Sequence, residues 1–189
     1  MKKGTETKEH DVEGALAAAL RRLGRERPFE TLSVRDIVRE AGVSTRTFYN
    51  HYRSKYDLVI RFYAWNDEAA VRAARAGAPL PPWPEQVRDG LVRFRRDRAM
   101  FAGAMRDMAG PEGFGETLLE HACRTMADYA ELRTGRPLPD ALAPVLRLYA
   151  AGVVRLVCEW LLSPALQSVD DFLGVLVAAL PAPLREILL

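Results

Sequence analysis

The chain is poor in the residues from which most catalytic and metal centres are built. Its 189 residues include only two cysteines and three histidines. The histidines, at 10, 51 and 121, are scattered, so no cluster has the spacing of a zinc site. Cys123 and Cys158 are too few for a disulfide framework and are expected to be reduced, buried small hydrophobes, with nothing in the sequence to support a redox role. There is no G-x-S-x-G, no phosphate-cradling glycine loop and no H-E-x-x-H, so an enzyme is disfavoured and neither a cofactor nor a metal is expected. The N-terminal MKKGTETKEHD lacks the apolar stretch of a signal peptide. Residues 148–162 are strongly apolar, but they are interrupted by Arg155 and Glu159 and are shorter than a membrane span. A cytoplasmic protein without a membrane partner is expected. Lysine is scarce beside arginine, 4 against 23, and the net charge of +2 is too small to argue for nucleic acid. Residues 1–58 carry +3 and the remainder −1, a weak asymmetry consistent with DNA binding at one end.

What is present is helical. At 49% hydrophobic, the chain can bury the cores of one small and one medium domain. Apolar residues recur at helical spacing in about nine segments, which gives an all-α fold. A first helix, from about Val12 to Arg25, presents Leu16, Ala19, Leu20 and Leu23 on one face. A long helix over about 54–76 carries Leu58, Phe62, Trp65 and Ala69. The proline-rich GAPLPPWPE at 77–85 is the clearest internal break. Further helices are expected at about 84–97, 100–108, 116–134, 140–162 and 168–180, separated by GPEGFG and by Pro137 and Pro139. The last is expected to stop at Pro181.

The most informative stretch is SVRDIVREAGVSTRTFYNHYRSKY, residues 33–56. Ser33 followed by Asp36 is the S-x-x-D form of a capping box, so a short helix starts there, with Ile37 and Ala41 inward. Gly42 ends it, because the residue past a helix terminus often takes positive φ, which glycine adopts at least cost. Val43 plugs the turn and Ser44 caps a second helix. On that helix only Phe48 is an unambiguous inward anchor. Thr45, Arg46, Thr47, Tyr49, Asn50 and His51 are left on the outside, a polar surface fit for a DNA groove in a helix-turn-helix. Thr45, Arg46 and Thr47 are placed to read bases, Arg46 through the O6 and N7 acceptors of guanine and the threonines through a thymine methyl. Tyr49, His51 and Lys55 suit phosphates, Lys55 in the first turn of a third helix capped by Ser54 and Asp57. Ser33, Arg35 and Ser44 complete the DNA-facing set.

AGVSTRTFYNHYRSKYDLV resembles the helix-turn-helix signature of the tetracycline-repressor (TetR) family. Ala41, Gly42, Val43, Ser44, Thr47, Phe48, Tyr49, Lys55 and Leu58 match its pattern, and Tyr52 stands where Phe is usual. The likeness covers roughly residues 10–60. It implies a three-helix DNA-binding head, taken as residues 1–56, and a C-terminal domain for ligand sensing and dimerisation, residues 57–189. It implies a regulator that binds a palindromic operator as a homodimer, more commonly a repressor, and answers to a small molecule. An activator, or an accessory regulator acting through a protein partner without a small ligand, is the alternative. The C-terminal half also loosely resembles regulators related to the activator of a dihydroxyacetone-kinase operon, through FYNHY and AGVVRLVCEWL.

In the C-terminal half, the helix over 140–162 is apolar around nearly its whole circumference, and the last helix is strongly apolar as well. A chain of this size cannot easily bury both on itself, so they are expected to form a dimer face through Tyr149, Val153, Leu156, Trp160, Phe172, Leu176 and Leu180. The plain alternative is that they form the core of the C-terminal domain. Phe62, Trp65, Phe94, Phe101, Met105, Met126, Tyr129 and Tyr149 supply the apolar and aromatic lining a small-molecule site needs, although each could equally be core.

Overall fold

The computed structural model describes the backbone of residues 3–105 and 113–189, with side chains except those of 3–11 and 63–69. The described residues form ten α-helices and two 3-10 turns, with no strand among them. They divide into two compact units, Met1–Phe62 and Tyr63–Leu189. The division falls within a long helix, beyond the boundary at residue 56 expected from the sequence.

In the N-terminal unit, α1 (Lys3–Glu26) begins earlier than the apolar spacing suggested. Leu16, Ala19, Leu20 and Leu23 line its buried face, which packs on α2 (Val34–Ala41). Each large apolar side chain so buried stabilises the unit by roughly 1.5–3 kcal/mol. A 3-10 turn at Phe29–Thr31 leads into α2, and α3 (Thr45–His51) follows, then α4 (Lys55–Arg75). Ile37 and Val38 are the buried residues of α2, while Ala41 is only half-buried. Phe29, Phe48, Leu58 and Val59 complete the core around them.

The C-terminal unit contains α5 (Trp83–Arg96), α6 (Arg98–Met105), α7 (Phe114–Thr134), a 3-10 turn at Asp140–Leu142, α8 (Ala143–Leu162), α9 (Val169–Ala178) and α10 (Ala182–Leu188). The tenth helix is the one beyond the expected nine. Helix α9 ends at Ala178, short of Pro181, which is instead the N-cap residue of α10, where Pro183 sits in the first turn and needs no N–H partner. Helix α7 packs against α8 and α10, and α5 against α9. The core joins Trp83, Met126, Tyr129, Leu146, Ala150, Leu180, Leu184 and Leu188. Arginines close the helix ends: Arg98 donates from Nε to Leu161 O at 2.6 Å and from Nη2 to Ser163 O at 2.8 Å, satisfying carbonyls left over by α8.

The expected dimer face shifts. Trp160, Phe172, Leu176 and Leu180 are buried within the single chain. The Trp160 indole stacks on Phe172 at 4.8 Å and 5° between planes, and its Nε1 donates to Gln167 O at 3.2 Å. Tyr149 is half-buried and donates its hydroxyl to Leu176 O at 2.7 Å, and burial pushes its pKa up to about 12. Val153 is half-buried, and of the expected set only Leu156 is exposed. On α8 and α9 the large apolar residues left outside are Leu148 (77% exposed), Leu156, Leu162 and Val175. Because α8 is apolar around nearly its whole circumference, its apolar spacing did not say which side α9 would occupy, although its charged residues Arg147, Arg155 and Glu159 all fall on the exposed side. The stretch Asp140–Leu162 is also long and apolar enough, by length and composition, to cross a membrane, contrary to the shorter run read from the sequence, and little of it is buried.

The expected ligand-lining residues do not form one group. Phe101 packs on Phe94, edge to face at 4.6 Å, and on Phe114 at 6.1 Å, with Met105 buried on the same helix. Met126 and Tyr129 belong to the core with Trp83, whose ring lies 5.0 Å from that of Tyr129. Phe62 falls in the N-terminal unit, beneath the Arg21 guanidinium at 4.5 Å. The side chain of Trp65 lies outside the described residues. Cys158 is buried and Cys123 half-buried, and burial raises the pKa of both thiols, which disfavours the reactive thiolate.

Candidate nucleic-acid interface

The site is built from local bonds outward. At the start of α2, Ser33 Oγ accepts from Asp36 N at 3.1 Å while Ser33 N donates to the Asp36 carboxylate at 3.0 Å, a complete capping box. The Ser33 hydroxyl also donates to that carboxylate at 2.7 Å. These bonds, with Arg27 at 3.4 Å and Arg39 at 3.0 Å, lower the pKa of Asp36 from the ordinary 3.8 to about 2. Ser33 is therefore exposed but engaged in the cap, and Arg35 stands exposed in the first turn beside it.

Gly42 takes φ 68° and ψ 24°, the left-handed conformation that costs other L-residues about 1–2 kcal/mol. The turn is closed by Val43 N donating back to Val38 O at 3.0 Å. Ser44 then accepts from Thr47 N at 2.9 Å, and the two hydroxyls share a hydrogen bond at 2.7 Å. Thr47 is half-buried, and its hydroxyl is held by the cap.

Helix α3 has one inward anchor. Phe48 is wholly buried, with Tyr49 edge-on at 5.3 Å and Tyr52 tilted at 5.5 Å. With residue 48 pointing in, Thr45, Arg46, Tyr49 and Asn50 point out, and Tyr49 is 57% exposed. A phenol, a guanidinium, an amide and a hydroxyl on one small convex surface make a donor-rich patch suited to base edges and phosphates. His51 is half-buried against Tyr52 and its carbonyl accepts from Arg61 Nη1 at 2.7 Å. Arg61 also covers the Tyr52 ring at 5.3 Å. This support of the recognition helix was missed in the sequence. The signal available was the absence of a glycine after His51, which leaves the end of α3 in need of a donor from elsewhere.

Lys55 departs from expectation. Its ammonium donates to Leu32 O at 2.9 Å, Glu30 O at 3.2 Å and Phe29 O at 3.4 Å, and lies over the rings of Phe29 at 4.9 Å and Tyr56 at 5.3 Å. An ammonium has three donors, and three backbone carbonyls, two from the 3-10 turn and one from Leu32 just after it, surround this one. In this arrangement the Lys55 ammonium, expected at a phosphate, clasps the start of α4 to the approach to α2. Asp57 supports the same corner, accepting from Arg53 N at 2.9 Å while its own N–H donates to Ser54 Oγ at 3.2 Å.

Residues 16–62, the span that holds the capped α2, the left-handed glycine and the exposed face of α3, match the family model for bacterial regulatory proteins of the tetR family. This stretch is a DNA-binding domain of the tetR-regulator type. It makes the chain a DNA-binding transcriptional regulator. The whole chain is also similar in fold to two solved structures. One is titled a dihydroxyacetone kinase operon activator, DhaS, at 15% identity and TM-score 0.57, covering 94% of this chain and 98% of that one. The other is a TetR transcriptional regulator from Streptococcus agalactiae 2603V, at 16% identity and TM-score 0.54, covering 95% and 99%. At such identity these two likenesses establish the all-α architecture of the TetR-type regulator, and the DNA-binding assignment rests on the N-terminal match.

Proposed function

We propose that this TetR-type regulator is a homodimeric repressor that binds a palindromic operator and is released by a small-molecule effector held in the C-terminal unit. The carrying observation is the outward face of α3, whose exposed Thr45, Arg46, Tyr49 and Asn50 are set on the single buried anchor Phe48. Arg46 and Thr45 read base edges, the Thr47 methyl meets a thymine methyl, and Tyr49, Asn50 and His51 hold phosphates. Ser33, Arg35 and Ser44 flank them, and Lys55 positions the helix. Two such helices about 34 Å apart would read successive major-groove faces, and the exposed apolar sides of α8 and α9 offer the surface for pairing. An effector that prefers one head spacing would shift the dimer toward it by its differential affinity. Gln86 in the C-terminal core offers it a polar anchor: its Nε2 donates to Pro81 O at 3.3 Å, and its buried Oε1 has no donor among the described residues.

Footprinting of the full chain on the DNA upstream of its own coding sequence, with sedimentation of the free protein, tests this reading. Protection of two half-sites about one helical turn apart by a dimer is expected. A monomer that protects no palindrome would overturn it. The likeness to a protein titled an operon activator favours a second reading, in which the bound dimer recruits a protein partner and raises transcription. In-vitro transcription from the protected promoter separates the two readings by the sign of the effect.

A further inference from the structure

The outward stripe of α8 that runs from Leu148 to Leu162 is apolar except at one place; the exposed Arg147 flanks it and is paired with Glu116 of α7 at 2.7 Å. Leu148, Gly152, Arg155, Glu159 and Leu162 follow one another at steps of three and four residues, so they share a stripe. Leu148 is 77% exposed, and the side chains of Arg155 and Glu159 are 70% and 53% exposed. Arg155 Nε donates to the Glu159 carboxylate at 2.6 Å, so one cation and one anion stand side by side in the apolar stripe. A Cβ added at Gly152 would meet nothing within 4 Å. Within a single chain, that glycine weakens the helix and gains no packing in return.

We propose that Arg155 and Glu159 are the specificity determinants of subunit pairing, each meeting the opposite charge on a second copy of this chain. The proposal rests on the homodimer reading above. A two-fold axis makes contacts reciprocal, so if residue 155 meets residue 159 of the partner, residue 159 meets residue 155. An antiparallel crossing centred on Arg155 would stack two guanidiniums, and one centred on Glu159 would stack two carboxylates. A crossing centred between them pairs opposite charges twice, and the same register sets Leu162 opposite Gly152 of the partner subunit, a large side chain over an open glycine. The pair also selects its occupant. A bilayer interior disfavours two charges in the middle of the stripe, and a partner of one charge sign would repel one member of the pair, whereas a second copy presents both signs.

The test uses the full chain and two charge reversals, Arg155→Glu and Glu159→Arg, followed by sedimentation velocity and native mass spectrometry. Each single variant places like charges across the interface and should weaken self-association at least about tenfold. The double variant R155E/E159R restores complementarity and should dimerise like the wild type. An equimolar mixture of the two single variants should form heterodimers, because each then meets the opposite charge. Single variants that dimerise as well as the wild type would overturn the proposal while leaving the dimer intact. Single variants that stay monomeric even when mixed would overturn the pairing of 155 with 159. A wild-type chain that is monomeric at every concentration would instead overturn the homodimer reading itself. Should a reversal fail to fold by circular dichroism, R155Q/E159Q provides the second variant: it should dimerise with a weaker dependence on salt than the wild type, and a salt dependence equal to that of the wild type would overturn the proposal.

Discussion

Two surfaces of this molecule are left open by its own fold, and they differ in chemistry. The outward face of α3 is polar and rich in donors, with Arg46 and Asn50 exposed and Tyr49 between them. The outward face of α8 is apolar, with Leu148, Leu156 and Leu162 exposed around one ion pair. Exposure alone says only that a face is unpartnered. Its donors and acceptors say whether the partner is nucleic acid or protein. A polar face can remain hydrated at little cost while it awaits DNA, whereas an apolar face is destabilised by water for as long as it is uncovered. The two surfaces should therefore respond differently to mutation, one in DNA affinity and the other in association.

The largest effects are expected beneath the two faces. Phe48→Ala should cost about 3–5 kcal/mol of stability in the N-terminal unit and abolish DNA binding, read by thermal melting and gel shift. Trp160→Ala should cost about the same in the C-terminal unit. If Trp160→Ala instead left stability untouched and only dissociated the dimer, α8 would present the side expected from the sequence, and the contrast between the two faces would need redrawing.

Smaller effects sharpen the comparison. Lys55→Met should lower the stability of the N-terminal unit by about 1–3 kcal/mol, because three carbonyls lose a charged donor. Binding at several salt concentrations should show the same slope as the wild type, and a slope reduced by about one unit would return Lys55 to the phosphates. Arg46→Ala should leave the melting temperature unchanged and cost about 1–3 kcal/mol of discrimination at one base pair, measured with a panel of operator variants.

Ser33→Ala is the mildest change, about 1 kcal/mol through the lost cap, and it carries a pH signature. The depressed pKa of Asp36, about 2 against the ordinary 3.8, contributes stability that is fully present above about pH 4 and is lost as pH falls through 2. Without the Ser33 hydroxyl the Asp36 pKa moves back toward its ordinary value. Acid titration followed by circular dichroism should then show a smaller loss between pH 4 and 2 in the variant than in the wild type.

Much of the N-terminal unit was legible because its decisive bonds are local. The Ser33 cap, the Gly42 turn and the Ser44 cap each join residues no more than five apart, and such spacings are visible in a one-dimensional pattern. Phe48 could be picked out as the anchor because its neighbours on α3 are polar. Arg61 and Lys55 were not legible in the same way. Lys55 meets carbonyls more than twenty residues before it, and nothing in its immediate sequence distinguishes a lysine bound for a phosphate from one that clasps a turn.

The C-terminal unit shows the complementary limit. Its helices could be placed from apolar spacing, but α10 was overlooked because a proline such as Pro181 can be read as the end of one helix or the start of another. The aromatic residues were recognisable as material for a core or a ligand site, yet their division between the Phe101 group and the Trp83–Tyr129 group follows from how α5, α6 and α7 pack.

By itself, then, the sequence determined what depends on near neighbours and composition: an all-helical chain, a capped helix-turn-helix, and a recognition helix facing outward from one phenylalanine. The tertiary structure alone decided which of the many apolar side chains of α8 are covered and where the Lys55 ammonium goes. A helix with apolar residues around nearly its whole circumference leaves that choice to the helices that pack on it, and an ammonium settles on whichever carbonyls the fold brings within its reach.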